Sequence, residues 1–252
     1  MRHCIQGYIF FIFTLLFCDE VNAQYNDTTF HYVGLISSGS YNKTNSSTAY
    51  LLNNVLKMGI RKKDIALNST NSFLYGDQNK KLTNKDFSSV WDFNLYKTFP
   101  QFYYWGLFAY NVNYSLRINN QLLTGIGIAY KFIDQPTRQI NVSNGILYDY
   151  SDINLNDSTR EIYSTPRNSL RLQIKWDIKN LLVFRGNAFL QNSLQDASDY
   201  IVKTDVSFSI KIKKWLSLTS ALTYNQMTRT KKENLFVTYG LNIEKYFWVG
   251  WE

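Results

Sequence analysis

The chain has 252 residues and a formal net charge of +8, with 18% of its residues charged and 17% aromatic. Cys4 and Cys18 both lie in the opening segment, so the rest of the chain offers no disulfide, thiol nucleophile or cysteine metal ligand. Histidine is limited to His3 and His31, and the basic residues are scattered rather than gathered on a stripe. That pattern argues against nucleic-acid binding and supplies no cofactor or metal fingerprint.

Residues 1–23 read as a secretory signal. Arg2 and His3 precede the apolar run Tyr8 to Phe17, and Val21-Asn22-Ala23 supplies a cleavage site that leaves Gln24 as the mature start. A signal anchor is the rival, but the run is too short to span a bilayer and Asp19-Glu20 closes it. Lipoprotein processing at Cys18 is opposed by the bulky Phe17 before it. Without the signal the net charge becomes +9, because Arg2, Asp19 and Glu20 leave with it. No Pro, Gly or Ser linker divides residues 24–252, which form one domain. Nothing in that domain approaches the eighteen uninterrupted apolar residues of a helical span.

The period in this domain is two. Strands are expected near residues 29–40, 47–59, 64–75, 85–98, 102–114, 120–133, 138–151, 167–178, 180–191, 199–212, 215–226 and 234–250. That is twelve, an even number as bacterial barrels require, or ten if two weak strands merge. The clearest runs are Leu170 to Lys179 and Tyr200 to Lys213, where one apolar row opposes one polar or charged row. Each is about as long as a tilted strand needs to cross a bilayer, roughly 9–11 residues. A sandwich would have shorter strands and apolar inward rows. The expected fold is therefore an all-β, antiparallel, up-and-down transmembrane barrel, apolar outside and polar inside.

The connections support this. Those after even strands are tight, as at Arg61-Lys62-Lys63, Phe99-Pro100-Gln101 and Lys213-Lys214. Those after odd strands read as longer and more polar, as from Gly76 to Asn84, Ser151 to Pro166 and Met227 to Glu233. Short periplasmic turns alternating with longer external loops is the outer-membrane pattern, and it puts both chain ends in the periplasm. The last strand carries Tyr239, Leu241, Ile243, Phe247, Val249 and Trp251 on one face. It departs from the usual terminal aromatic by ending in Glu252.

The hairpin Tyr103-Tyr104-Trp105-Gly106-Leu107-Phe108-Ala109-Tyr110 with Leu122 to Phe132, which includes Gly125-Ile126-Gly127 and Tyr130, resembles a family of outer-membrane proteins that includes the salt-induced outer-membrane protein (YdiY-like). The loop Ser115 to Asn120 departs from the acidic connection of that family. The resemblance implies location and shape and transfers no active residue. From the residues alone, Gly125 and Gly127 stand on the lumen row, where a missing side chain lets the wall bend or a neighbour pack close. No helix follows to hold a pyrophosphate, so this is not a dinucleotide fingerprint.

Eleven charged residues fall on inward positions: Asp92, Lys131, Asp149, Arg171, Lys175 and Asp177 in the first eight strands, then Arg185, Lys203, Asp205, Lys211 and Glu244. They form either a network plugging a narrow barrel or the wall of a pore. About twelve strands lies between small filled barrels and open porins, which favours a filled or narrowly conducting lumen. Asp77, Asp86, Asp152, Asp157, Asp196 and Asp199 read as solvated loop carboxylates without calcium-loop spacing. Arg229-Thr230-Lys231-Lys232 reads as a basic loop. His31, near the periplasmic rim, is the one candidate base, and no catalytic residue is assigned. The expectation is a non-enzymatic protein of a Gram-negative outer membrane, structural or a narrow solute channel. Its partners would be outer-membrane lipids including lipopolysaccharide and the barrel-assembly machinery. The alternatives are a surface-binding barrel using its external loops and a lipid-modifying enzyme relying on His31.

Overall fold

The computed structural model describes residues 30–96 and 99–247; the signal segment, the cleavage point after Ala23, and Val249, Trp251 and Glu252 lie outside the described residues. Twelve strands follow one another without a helix: β1 (Phe30–Lys43), β2 (Thr48–Lys62), β3 (Ile65–Gln78), β4 (Lys81–Leu95), β5 (Phe102–Asn113) and β6 (Ile118–Asp134), then β7 (Arg138–Asn154), β8 (Arg160–Ile178), β9 (Leu182–Ser193), β10 (Tyr200–Lys213), β11 (Leu216–Met227) and β12 (Lys232–Phe247). Each pairs antiparallel with its chain neighbours, and β1 pairs with β12 from His31–Phe247 to Gly39–Tyr239, closing the barrel. The expected strand number and architecture hold, and the ten-strand variant does not. Closure leaves no sheet edge, so every strand satisfies its backbone from both sides.

Alternation places the apolar rows outside. On β6, Ile126, Ile128 and Phe132 are 74%, 49% and 63% exposed, whereas Leu123 and Ala129 on the opposite face are 2% and 1% exposed. Such large bare side chains, repeated on every strand, would cost water roughly 25 cal/mol for each Å2 of apolar surface. A hydrocarbon surround removes that cost, and the exterior is that of a transmembrane barrel. Exposed aromatics gather near both strand ends, with Phe102, Tyr104, Phe132 and Trp176 at one and Tyr50, Tyr110, Tyr148 and Tyr150 at the other. These are the positions of interfacial girdles.

An even strand count sends β1 in and β12 out at the same end, here termed the turn end; the other is the loop end. The connections at the loop end are shorter than expected. Gly76 and Asn84 are paired strand residues, and the β3–β4 turn is only Asn79-Lys80, with φ of 53° and 64°. The stretch from Ser151 to Pro166 is mostly ladder, with β7 running to Asn154 and β8 starting at Arg160. Likewise β11 reaches Met227 and β12 begins at Lys232. The strands continue past the hydrocarbon zone, where a polar side chain on the outer row costs nothing, so the alternation fades while the ladder persists.

The β5–β7 wall is shaped by glycine. Trp105 sits on the inward row of β5, and a Cβ at Gly127 or Gly145 would collide with its indole and with a backbone carbonyl. Gly127 and Gly145 thus clear space for a tryptophan packed against the inner wall. Register shifts at Asn111/Asn113 and Lys131/Ile133 bend the same wall.

Candidate functional site

The inward rows enclose a cavity of about 430 Å3. Among its lining are Lys57, Asp92, Arg171, Arg185, Lys203 and Asp205, drawn from β2, β4, β8, β9 and β10. Arg171 of β8 reaches Asp92 of β4 at 3.4 Å, across the barrel from one wall to the other. The Arg171 guanidinium also lies over the Phe189 ring, 4.7 Å from its centre. Asp205 accepts a hydrogen bond from Thr223 at 2.9 Å and keeps a water-accessible surface inside the barrel. The middle of the lumen is therefore narrowed but open, with these charged groups set among apolar side chains such as Leu107, Leu123 and Phe236.

Towards the turn end, Lys211 donates to Asp177 at 2.6 Å and Arg185 approaches Glu244 at 3.9 Å. Lys175 stands in the electrostatic reach of Arg185, Asp177, Glu244 and Lys211. Lys131 pairs with Asp134 at 2.8 Å and lies 5.0 Å from the Tyr96 ring centre. Asp149 is at the other extreme, fully buried near the loop end. All eleven sequence-selected charges occupy inward rows, but they form three levels rather than one network.

The loop mouth is closed by two layers. An apolar cluster of Leu116, Ile118, Ile153, Ile201 and Met227, with Leu155 and Tyr163 packed on it, joins β6 and β7 to β10 and β11 on the far side. Beside it, the fully buried Arg167 donates to Asp149 at 2.6 Å and to Asp199 at 3.0 Å. Arg229 donates to Asp199 at 2.8 Å and to Glu161 at 2.7 Å, with its guanidinium 3.9 Å from the Tyr163 ring centre. These bonds tie the loop ends of β7 and β8 to the connections after β9 and β11. Asn234 of β12 donates to Ser115 in the connection after β5 at 2.6 Å, again across the mouth.

Arg167, Lys57 and the Asp199–Arg229 pair were absent from the sequence-selected set. Arg167 shares its row with Arg171 and Lys175, so parity could have found it. Lys57 sits in the irregular run Asn53 to Met58, where no clean alternation marks a face. Arg229 lies in the stretch read as a basic loop, and it turns inward onto Asp199 and Glu161. Several loop carboxylates are also relocated: Asp77, Asp86 and Asp152 are strand residues, and Asp86 is buried, accepting from the Tyr114 amide at 2.8 Å. Asp152 accepts from Arg160 at 2.7 Å and Asp157 from Arg117 at 2.7 Å. In the β9–β10 connection, hydrogen bonds from the Ser198 hydroxyl and amide hold the Asp196 carboxyl below its ordinary pKa. Among the described residues no group of three or more His, Cys, Asp or Glu is placed to hold a metal ion. His31 lies on the outward row, stacked on Phe247 with ring centres 5.5 Å apart, and its Nδ1 has no hydrogen-bond partner among the described residues.

The curated proteins include no match to this sequence. Among solved structures, the NanC porin is similar at 9% identity with a TM-score of 0.51, covering 85% of this chain and 100% of that one. The translocator domain of the autotransporter NalP from Neisseria meningitidis is similar at 11% identity with a TM-score of 0.48, covering 96% and 95%. The KdgM porin follows at 11% identity and 0.43, covering 84% and 97%. At such identities the NanC likeness is one of fold. A family model described as "Protein of unknown function, DUF481" matches residues 37–245, and the chain belongs to that family.

Proposed function

We propose that this protein is an integral outer-membrane β-barrel of a Gram-negative bacterium, exported by a signal cleaved near Ala23, that acts as a narrow, non-enzymatic solute channel of the YdiY-like type. The observation that carries the reading is the lumen: a cavity of about 430 Å3 inside the barrel, with Lys57, Arg171, Lys203, Asp92 and Asp205 on its wall and narrowed by the Arg171–Asp92 pair. A barrel serving only as a scaffold gains more from apolar or closely paired interior residues than from loosely paired charges. The closed loop mouth makes the channel gated. The surface-binding alternative loses support because the connection after β7 has shrunk to residues 155–159. The enzyme alternative needs a base with hydrogen-bonded partners, and His31 packs against Phe247 instead.

Planar-bilayer recording of the refolded protein tests the reading. Discrete small conductance steps are expected, from protein whose gel mobility changes on heating and which fractionates with the outer membrane. Folded protein that never conducts would remove the channel; a soluble monomer in detergent-free buffer would remove the membrane barrel.

A further inference from the structure

We infer that the middle of the lumen is a binding site for a small anion carrying carboxylate or phosphate groups. The inference rests on the channel reading and names its solute class. Four cations line this cavity: Lys57 of β2, Arg171 of β8, Arg185 of β9 and Lys203 of β10. The carboxylates on the same lining are Asp86, Asp92 and Asp205, and Glu244 approaches Arg185 from the turn end. Arg171–Asp92 at 3.4 Å and Arg185–Glu244 at 3.9 Å are long beside the roughly 2.7–2.9 Å of a charge-assisted hydrogen bond.

Lys57 and Lys203 have less still. Neither forms an ion pair or donates a side-chain hydrogen bond among the described residues. The carboxylate common to their fields is Asp205, which also feels Arg171 and is held by Thr223 at 2.9 Å. Glu244, which Lys57 also feels, faces Arg185, and Asp149, which Lys203 also feels, is bonded to Arg167, so the two ammonium groups stay undercompensated in a low-dielectric enclosure. Such an enclosure focuses the field and concentrates counter-ions. The same protein supplies two carboxylates to Arg167 at the mouth, at 2.6 and 3.0 Å, so the shortage at mid-lumen is local. Lysine suits the task, since its ammonium carries three rotatable donors on a flexible stem and can follow a ligand. The cavity volume accommodates inorganic phosphate or a small dicarboxylate.

Two measurements test the site on the refolded full-length barrel, comparing wild type with Lys57→Gln/Lys203→Gln. In a KCl gradient the wild-type reversal potential should show about fivefold preference for chloride over potassium, falling to near unity in the variant. By titration calorimetry in detergent, inorganic phosphate should bind wild type saturably and the variant at least roughly tenfold more weakly, while sodium and potassium ions show no saturable heat. Heat-modifiable mobility confirms that both proteins are folded, and the single variants guard against a misfolded double. Wild type and variant behaving alike in both measurements overturns the anion site. Variant-sensitive phosphate binding without any conductance keeps the site and overturns the channel. Conductance favouring potassium keeps the channel and overturns the site.

Discussion

At the loop mouth Arg167 is fully buried and has carboxylates at 2.6 and 3.0 Å, whereas in mid-lumen Lys57 and Lys203 have no ion-pair partner among the described residues. The first arrangement is closed: each charge is matched, hydrogen-bonded and flanked by apolar side chains from opposite strands. The second is open: its cations face a cavity and compete for Asp205. Burial raises the cost of an unmatched charge, so a barrel that matches charge in one place and leaves it unmatched in another separates two tasks. The mouth holds the structure shut, and the middle of the lumen is kept receptive.

The sharpest way to break this contrast is to unmatch the mouth. Arg167→Met leaves Asp149 buried without its cation, while Asp199 keeps Arg229. The expected loss is about 3–5 kcal/mol of unfolding free energy. Urea unfolding of the barrel in lipid vesicles, followed by tryptophan fluorescence, measures it. Adding Asp149→Leu should recover most of the loss, because the second charge is then gone as well. A single variant as stable as wild type would mean that the mouth network is not a closed structural pair.

Arg229→Ala probes the same layer from its wetter side. Arg229 is partly exposed and links Asp199 to Glu161, so its loss should loosen the mouth without unfolding the barrel. If the latch contributes about 1.4 kcal/mol to closure, the ratio of open to closed channels rises roughly tenfold. Single-channel recordings would register that as a higher open fraction at unchanged step size. An unchanged open fraction would place the gate elsewhere.

Much of this architecture is legible in the residues. Period-two alternation marks β6, β10 and β11 almost to their ends, and the eleven charges read as inward stand on inward rows. What alternation lacks is the partner. Arg171 and Asp92 are 79 positions apart, and only closure of the barrel brings β8 opposite β4. The mouth is harder to read, because beyond the hydrocarbon the outer row no longer needs apolar side chains. From Arg160 to Pro166 a strand therefore looks like a polar loop. The plug residues Ile118, Ile153, Ile201 and Met227 sit at strand ends, where single apolar residues carry no pattern.

The wall between the two regions can be stressed through Gly127. An alanine there drives its Cβ into the Trp105 indole and the Asn144 carbonyl. Overpacking of this kind costs about 1–3 kcal/mol. If Trp105 escapes into the lumen instead, stability falls less and the conductance step shrinks. Phosphate binding at Lys57 and Lys203 distinguishes the outcomes, since a local wall change leaves it intact and a global loosening does not.

The smallest expected effect calibrates the others, because it lies at the loop end but outside the mouth network. The β3–β4 turn holds both Asn79 and Lys80 at positive φ, 53° and 64°, in a two-residue hairpin. Asn79 has a reason to stay: its amide donates to the Thr48 carbonyl at 2.8 Å and its side-chain oxygen accepts from the Thr48 amide at 2.8 Å. Lys80 has no such bond and tolerates the left-handed conformation poorly, whereas Asn-Gly is the favoured pair for this turn. Lys80→Gly should therefore stabilise the barrel by somewhat under about 1 kcal/mol, the relief of strain being offset in part by the greater freedom of glycine in the unfolded chain. Urea midpoints would show it as a small rise at constant slope. Because the change touches neither the plug nor the lumen, channel opening and anion preference should not move. A shift in either would mean that the loop end behaves as one cooperative cap, so that the mouth and the hairpin beside it could not be treated as separate devices.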